Sequence, residues 1–504
     1  MHKVLKKISG KMLFQELGEK QKSASRLERL RYGSASNQAN RNLLYHSCNH
    51  KRTNNGFGGS VIVYAHVPLR LRSILRGPCI HLYWFTQALL ASSASLKFPF
   101  PKLNMSRKAN VDEFGATNLV GGGGKGLRIC FISSYPPNRA RLSEYAKNLV
   151  TELANSPAID KLHLLTDQTT RSNGKLPENS KINVTRVWKQ DNLLSILGVL
   201  VKVLKLKPDV VHFSIGFQVF GKSRVANFTG LSLVFLCRLC GFKVIVLMHN
   251  LGELVDLEKV NVKPSFVNKA GILVATRLIL SASRVVVMVK SYADYLRKHY
   301  SNKGVLFIPH GSLGNGCVSI DPEEKVVLMF GHMGPSKGLP IMLSAFEKIT
   351  KERSDVQLVV AGADHPSFPG YIEGFIKKAP SKVVFTGYIP EEDLYRVFGM
   401  ADVVVMPYLI ALGTSGVFHL ACGFGKPVVC SDLPEMRELV ADGASALLVP
   451  PGDVVSLKDS ILKVLNNKEK ANKMAEQNLK FAHKELWSIV AKTYEETYLE
   501  LLKT

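Results

Sequence analysis

From residue 127 onward, short runs of Val, Ile and Leu alternate with segments whose apolar residues recur at helical spacing. Residues 127–133 form the first apolar run, and residues 143–155 form the first amphipathic segment. Strands that are apolar almost throughout are buried on both faces, which is typical of a parallel sheet covered by helices. The alternation therefore predicts an α/β protein.

The pattern breaks once, after residue 308, and then restarts, which predicts two Rossmann-like domains at 126–312 and 313–485. The first has expected strands at 127–133, 161–166, 183–187, 209–214, 243–248, 284–289 and 305–308, with helices at 143–155, 193–206, 223–240 and 266–281. The second has expected strands at 325–330, 356–361, 382–386, 403–406, 427–430 and 446–449, with helices at 339–350, 371–378, 391–400, 416–424, 435–441 and from 456 onward. Residues 486–504 are expected to form a helix that packs back toward the first domain. Open α/β sheets bind ligands at the carboxyl ends of their strands, so we expect a cleft between the two domains.

The net charge of +26 is unevenly distributed, because residues 1–105 contain 17 Lys and Arg against three acidic residues, a net of +14. Such basicity favours anionic ligands or an anionic membrane surface. With neither zinc-finger spacing nor an aromatic RNA-binding signature, no nucleic acid partner is expected. Residues 1–125 are predicted to be a basic, weakly ordered extension that ends in a Gly-rich linker. An uncharged run at 77–96 is long enough to span a bilayer, but its serines make a membrane helix the weaker alternative.

Cys237 and Cys240 form a C-x-x-C within an apolar helical run. This context favours buried thiols over redox or metal chemistry. A reducing, cytoplasmic location is therefore expected, with the inner face of a membrane as an alternative within it.

Two Gly-rich turns stand between a strand and a helix in the second domain. One is Gly331-His-Met-Gly-Pro-Ser-Lys337-Gly338, and the other is Thr414-Ser-Gly416. Backbone N–H groups at such a turn, with the positive end of the helix dipole behind them, form an anion site. Two of these turns, one carrying a Lys, indicate a diphosphate-bearing ligand and hence a nucleotide-sugar enzyme.

Together with Pro309-His310-Gly311 and Gly425-Lys-Pro-Val-Val429, these turns resemble those of retaining glycosyltransferases of the GT-B fold. The resemblance covers about residues 127–500 and is closest to the large family four, often labelled glycosyl transferase group one. It implies transfer of a hexose from a UDP- or GDP-sugar to a glycan or lipid-linked acceptor with retention of configuration. Besides this nucleotide-sugar co-substrate, no cofactor is expected. No metal is expected either, because the chain has no Asp-x-Asp motif.

For the donor side, the resemblance assigns diphosphate binding to His332 and Lys337, with Gly331 and Gly338 in the same turn. Lys337 is the main catalytic candidate, since it would stabilise the charge on the departing diphosphate. Tyr388 follows a strand where the family contacts the nucleotide base, with ordinary packing as the alternative. Glu438 stands where the family often has an acid, with a helix-surface charge as the alternative.

The family's pair of Glu residues, separated by seven positions, is missing, and Leu412 and Leu420 stand near the expected places. Donor binding then depends on Thr414, Ser415 and Gly416. This departure motivates an alternative from another class, a non-catalytic GT-B scaffold or partner subunit. Sugar-nucleotide epimerisation and phosphorolysis are further alternatives on the same fold.

On the acceptor side, the loop after the first strand lacks the family's Gly-Gly and carries Arg139 and Arg141 instead, which are expected to bind an anionic group. His249 is expected to contact the transferred sugar, as a second catalytic candidate. Ser214 and Gly216 are expected to border the acceptor pocket.

The predicted helix at 193–207 is apolar with a basic end, which suits peripheral association with an anionic membrane. A buried helix whose lysines extend to solvent is the alternative.

Overall fold

The computed structural model describes residues 126–138, 141–168, 179–216, 218–258, 262–314, 316 and 323–503, without the side chain of Arg141. Within these residues the chain forms two all-parallel sheets, each flanked by helices. The predicted α/β class and the two Rossmann-like domains are therefore confirmed. The predicted extension, the run at 77–96 and nearly all of the Gly-rich linker lie outside the described residues.

The first sheet has seven strands in the order β3-β2-β1-β4-β5-β6-β7. These are β1 Leu127–Ile132, β2 Ile159–Asp167, β3 Ile182–Trp188, β4 Val210–Ile215, β5 Lys243–Met248, β6 Arg284–Val287 and β7 Val305–Phe307. Its helices are α1 Arg141–Asn155, α2 Leu193–Leu206, α3 Arg224–Leu239, α4 Phe266–Leu280 and α5 Lys290–Tyr300. The strand order reverses between β1 and β4, which opens a crevice at the carboxyl edge of the sheet.

Strand β1 shows why its sequence is apolar throughout. Cys130 and Ile132 belong to the core on one face of the sheet, whereas Ile129 and Phe131 belong to the core on the other. Successive side chains of a strand point to opposite faces, so a strand covered on both sides has no solvent-facing position.

The sequence pattern did not predict α5, although parallel strands such as β6 and β7 require a crossover. Only Tyr292, Ala293 and Leu296 of its eleven residues are buried. The apolar stripe is therefore too narrow to stand out from the polar residues around it.

The second sheet has six strands in the order β10-β9-β8-β11-β12-β13. These are β8 Lys325–Phe330, β9 Val356–Ala361, β10 Val383–Gly387, β11 Val403–Met406, β12 Val428–Ser431 and β13 Ala446–Val449. Its helices are α6 Leu339–Glu352, α7 Glu373–Ile376, α8 Leu394–Gly399, α9 Gly416–Gly423, α10 Pro434–Ala441, α11 Val454–Leu465 and α12 Lys468–Lys484. The helix predicted at 371–378 is reduced to the four residues of α7, none of them buried.

The last helix, α13 Trp487–Lys503, packs against the first domain rather than the second. Trp487, Tyr494 and Tyr498 lie in the same core cluster as Tyr145 of α1. The Tyr498 hydroxyl is 2.6 Å from Nδ1 of His212 on β4, so α13 closes one face of the first sheet. The chain thus crosses between the domains a second time at its end.

Cys237 is buried on α3, as predicted, and burial raises the pKa of its thiol to about 12. Cys240, just beyond α3, is exposed, so the expectation that both thiols are buried was wrong for this residue. The helix ends one residue earlier than predicted, which leaves Cys240 in the turn.

Among the described residues, no helix combines the length and the apolar character needed to cross a bilayer.

Candidate functional site

The turn after β8 lies against the start of α9. A Cβ built on Gly331 would be 3.3 Å from Cγ2 of Val417, in the first turn of that helix. The Gly331 N–H donates to the carbonyl of Ala361 at the end of β9, 2.9 Å away. His332, the next residue, is half-buried. The two Gly-rich turns predicted from the sequence are therefore neighbours at the carboxyl edge of the second sheet.

Gly338 joins the short 3₁₀ turn Pro335–Lys337 to α6. Its φ is +72°, and a Cβ there would lie 1.9 Å from the carbonyl oxygen of Pro407, in the loop after β11. That loop is also held by the Leu409 N–H, which donates to the Ser336 carbonyl over 2.9 Å. Only glycine combines this dihedral angle with this close approach.

Lys337 lies at the start of α6, where the helix dipole disfavours a cation. Its Nζ is 3.6 Å from the centre of the Tyr408 ring, and Tyr408 is almost fully buried. The negative face of an aromatic ring attracts an ammonium group and so offsets the unfavourable dipole. The arrangement holds a positive charge beside the N-terminus of α6.

The turn Thr414-Ser-Gly416 begins α9. The Ser415 hydroxyl accepts from the Phe418 N–H and caps the helix, and the Thr414 hydroxyl is 3.0 Å from Nε2 of His419. Thr414 and Ser415 are both buried. The first N–H groups of a helix have no partner within the helix, and the sequence analysis expects those of α9 to face an anion.

This turn is also the point of closest approach to the first domain. Gly413 has a φ of +144°, and a Cβ there would lie 2.4 Å from the carbonyl oxygen of His249. Nδ2 of Asn250 donates to the Leu412 carbonyl, and a Cβ on Gly416 would lie 3.2 Å from Nε2 of His310. The carboxyl ends of both sheets therefore meet at the Thr414 turn.

The predicted acceptor residues that the structure describes lie together. The Ser214 hydroxyl, at the end of β4, is 2.9 Å from Nε2 of His249, which follows β5. A Cβ on Gly216 would lie 3.1 Å from Oδ1 of Asn250. The His249 ring meets the Tyr145 ring edge-on, with 5.0 Å between centroids.

The two predicted arginines cannot be assigned to this group. Arg139 and the side chain of Arg141 lie outside the described residues, although Arg141 is the first residue of α1. The loop that precedes them is anchored, because Nδ2 of Asn138 donates to the buried carboxylate of Asp167 over 2.6 Å.

Tyr388 follows β10 and is half-buried. The neighbouring Gly387 carbonyl accepts from the Gly362 N–H over 2.9 Å, so this segment shares the carboxyl edge with the turn after β8.

Glu438, for which the sequence left donor binding and a helix-surface charge open, lies at a contact between the domains. Its carboxylate accepts from the backbone N–H groups of Lys290 and Ser291, at the N-terminus of α5. Glu435, one turn earlier on α10, accepts from the Tyr292 hydroxyl over 2.7 Å. Burial and the two carboxylates raise the pKa of Tyr292, so it stays a neutral donor. In this structure Glu438 caps a helix of the other domain.

The sequence analysis missed the buried His419 and its contact with the half-buried His310, behind the Thr414 turn. The rings of His310 and His419 stack with 4.9 Å between centroids, and Nδ1 of His419 is 3.2 Å from the Glu485 carboxylate. The Ser312 hydroxyl donates to the His419 carbonyl over 2.8 Å. The only local signal for His419 was that it is a single polar residue in the apolar helix that starts at Gly416.

Chemically, the site combines two adjacent helix N-termini, one lysine and several neutral donors. Such a set stabilises negative charge that develops on a leaving oxyanion. In the described part of the chain, no three His, Cys, Asp or Glu side chains are grouped as metal ligands would be.

The sequence profile of the family described as "Glycosyl transferases group 1" matches residues 324–467, which cover most of the second domain. A similar curated protein is the alpha-D-kanosaminyltransferase of Streptomyces kanamyceticus, 27% identical over 157 residues, 31% of this chain and 40% of that protein. Another is the lipopolysaccharide 1,2-N-acetylglucosaminetransferase of Salmonella typhimurium, 28% identical over 189 residues, 36% of this chain and 49% of that protein. The chain thus spans less than half the length of these two relatives.

Solved structures resemble about three quarters of the chain. The sucrose-phosphate synthase of Thermosynechococcus elongatus superposes with a TM-score of 0.61 at 20% identity, over 75% of this chain and 99% of that one. The Anabaena protein HepE, solved in complex with UDP and glucose, gives a TM-score of 0.56 at 18% identity, over 74% of this chain and 99% of that one. Identities this low establish the fold alone.

Proposed function

We propose that this protein, which has the GT-B fold and the second domain of a group 1 glycosyl transferase, transfers a sugar from a nucleotide-diphosphate donor. The donor is a UDP- or GDP-linked hexose, and the acceptor is a glycan or a lipid-linked saccharide. The reaction retains the anomeric configuration and uses no metal ion and no cofactor apart from the nucleotide sugar.

The observation that carries this proposal is that the two Gly-rich turns lie against each other and that one of them contacts the first domain. The turn after β8 touches the start of α9, and Gly413, just before α9, touches His249. Lys337 brings the positive charge that a diphosphate requires, and its ammonium is held against Tyr408. Phosphate groups bind where helix N-termini and a lysine converge.

In the proposed reaction, the bond between the anomeric carbon and the diphosphate oxygen breaks while the acceptor oxygen bonds to the same carbon from the same face. The acceptor's proton passes to the departing diphosphate, so no side-chain base is required. Lys337 and the N–H groups of α6 and α9 stabilise the charge that develops on the diphosphate. His249, oriented by its 2.9 Å contact with Ser214, contacts the transferred sugar and contributes by positioning it.

One observation favours a second candidate, a GT-B scaffold without catalytic activity. Leu412 and Leu420 occupy the positions near which the family has its Glu pair. Such a scaffold binds a nucleotide without turning it over, or binds no nucleotide, and supports another enzyme.

The proposed location is the cytoplasm, at the inner face of a membrane. Five cysteines that the structure describes are free thiols, which suits a reducing compartment.

The decisive experiment measures nucleotide binding by the full chain. Thermal unfolding is recorded with UDP, GDP, UDP-glucose and GDP-mannose for the native protein and for Lys337→Ala. A ligand present at about 100 times its Kd stabilises the native state by about 2.7 kcal/mol. Lys348→Ala is the matched control, because Lys348 is an exposed lysine on α6. We expect stabilisation by one nucleotide family, its loss in Lys337→Ala and its persistence in Lys348→Ala.

Turnover separates the two candidates. Release of UDP or GDP from the stabilising sugar nucleotide, abolished by Lys337→Ala, supports the transferase. Nucleotide binding without any release, with every acceptor class tried, supports the scaffold. Absence of binding by all four compounds contradicts the transferase and favours the scaffold.

A further inference from the structure

Helices α2, α3 and α4 form one layer on one face of the first sheet. Helix α3 lies between the other two and contacts both. Val199, Leu233 and Ile279, one from each helix, belong to a single core cluster beneath the layer. The opposite sides of the three helices together make one outer surface, which we call the α2–α4 face.

The α2–α4 face is strongly apolar. Of the twenty large apolar side chains that are exposed in the described residues, eleven lie on these three helices. Leu194 is 83% exposed, Phe266 85%, Leu239 66% and Val267 60%. Exposed apolar side chains concentrated in this way mark an interaction surface.

Within these three helices every charged residue is basic. The sequences of α2, α3 and α4 contain no Asp or Glu. Their six charged residues are all cationic and exposed: Lys202, Lys205, Arg224, Arg238, Lys269 and Arg277. The complementary partner is therefore both apolar and anionic.

This charge argues against two other occupants. A second copy of the chain in a two-fold dimer would bring the cationic surface against itself, which is repulsive. Residues 1–105 of the same chain carry a net charge of +14 and so are not complementary either.

Four of the five most exposed apolar residues of the face lie at one end of the layer, and the fifth, Leu239, lies at the other end. Leu194, Val225, Phe266 and Val267 are each the first or second residue of their helices. In a β-α-β unit the helix begins at the carboxyl end of the preceding strand, so these residues lie toward the edge that carries Ser214 and His249.

We propose that the α2–α4 face docks onto an anionic phospholipid bilayer, with the N-terminal ends of the three helices inserted among the lipids. Apolar side chains enter the boundary between headgroups and acyl chains, and the lysines and arginines contact lipid phosphates. Docking in this orientation brings the acceptor side of the cleft to the membrane surface. This inference rests on the function proposed above, and it identifies the acceptor as a lipid-linked saccharide.

The test is co-flotation of the full chain with vesicles of phosphatidylcholine alone, or of phosphatidylcholine and phosphatidylglycerol in a ratio of roughly two to one. We expect binding to the mixed vesicles that weakens with added salt, because exposed charges are screened. The double variant Leu194→Ser/Phe266→Ser should bind roughly tenfold or more weakly. Its matched control is Val455→Ser/Ile489→Ser, which changes two exposed apolar residues outside the face, on α11 and α13.

Charge is tested separately with Lys202→Gln/Lys205→Gln/Lys269→Gln. Its control is Lys463→Gln/Lys468→Gln/Lys480→Gln, which removes three exposed lysines of the second domain. We expect the first variant to lose the preference for phosphatidylglycerol and the control to keep it.

Failure of the native chain to float with mixed vesicles, or equal binding by the face variants and their controls, would overturn the proposal. Dimers in sedimentation that dissociate only in the Leu194→Ser/Phe266→Ser variant would instead identify the face as a self-association surface and overturn it as well. Nucleotide stabilisation, measured on the same samples, distinguishes this failure from that of the proposed function, because the face variants leave Lys337 and both turns intact.

Discussion

At the scale of single residues, the candidate site depends on positions where two backbone segments approach within van der Waals contact. Gly338 places the 3₁₀ turn with Lys337 against Pro407, and Gly413 places the loop before α9 against His249. A side chain at either position would separate segments that are far apart in sequence. The geometry of the candidate site therefore depends on glycine at these two positions as much as on the polar side chains of the site.

We predict that Gly338→Ala moves the Lys337 turn and lowers the free energy of unfolding by about 2–4 kcal/mol, because it combines an unfavourable left-handed φ with an overlap against the Pro407 carbonyl. Gly370→Ala is the matched control, since Gly370 has a φ of +80° but no neighbouring atom within 4 Å of the position that an alanine methyl group would take. Gly370→Ala should lower the free energy of unfolding only by the cost of a left-handed φ at alanine, about 1–2 kcal/mol. Denaturant unfolding measures both, and equal losses would show that the contact with Pro407 is unimportant.

At the scale of elements, α5 and α10 join the two domains. Helix α10 directs Glu435 and Glu438 at the first turn of α5, and Asp442 forms an ion pair with Lys290 there. Carboxylates are favourable at a helix N-terminus because they complement its dipole. Helix α5, which the sequence pattern did not predict, thus supplies one side of this contact between the domains.

Tyr292→Phe should weaken this contact. The largely buried Glu435 carboxylate would lose a hydroxyl donor, at a cost of about 1–3 kcal/mol in unfolding free energy. Tyr295→Phe on the same helix is the control, because Glu253 would still accept from the Tyr300 hydroxyl after losing Tyr295. Denaturant unfolding and nucleotide affinity are measured together. A loss of affinity in Tyr292→Phe alone connects the contact to closure of the cleft, whereas identical behaviour of the two variants would contradict that connection.

At the scale of the whole molecule, α13 seals the first domain over a buried histidine. Burial, and to a smaller extent the charge of His249, lower the pKa of His212 to about 3. In an unfolded chain a histidine titrates near pH 6.5. Between these values the unfolded state binds one proton more than the folded state, so acid favours unfolding.

We therefore predict that the His212 contribution to stability is constant above about pH 6.5 and is lost below it, by up to about 1.4 kcal/mol per pH unit. Denaturant unfolding at pH 7.5 and 5.5 measures the decrease. In His212→Asn the free energy of unfolding should differ less between pH 7.5 and pH 5.5 than in the native protein, even if the substitution lowers stability at both. His299→Gln, which changes an exposed histidine on α5, should leave the difference unchanged. An undiminished acid dependence in His212→Asn would rule out His212 as its source.

Much of the fold follows from local pattern. Strands β5, β8, β9, β11 and β13 and helix α2 have the bounds that the apolar runs predict. Helix α5 was not predicted, and α7 is much shorter than predicted. Helix α5 buries three residues and α7 buries none, so the apolar pattern of each helix is weak. An element that buries many side chains shows a clear periodicity of apolar residues in its sequence. An element that buries few side chains does not.

For the candidate site, the sequence predicted where the residues lie in the fold but not which residues they contact. Residues that end a strand or begin a helix share an edge of a parallel sheet, so the placement of Gly331, Thr414 and His249 follows from the element order. The partner of each residue does not follow, because Gly413 meets His249, and His419 meets Glu485, only through folding of distant segments. Glu438 illustrates the difference, since its position on a helix is local but its contact with Lys290 is not.

The sequence by itself determined the α/β class, the two domains and the positions of the two Gly-rich turns, since strand, helix and turn preferences act over a few residues. Only the tertiary structure decided that α13 closes over His212, that Glu438 caps α5 and that three acid-free helices share one exposed face. These features join residues far apart along the chain. Their free energy comes from burial and charge complementarity between elements, which local preference does not encode.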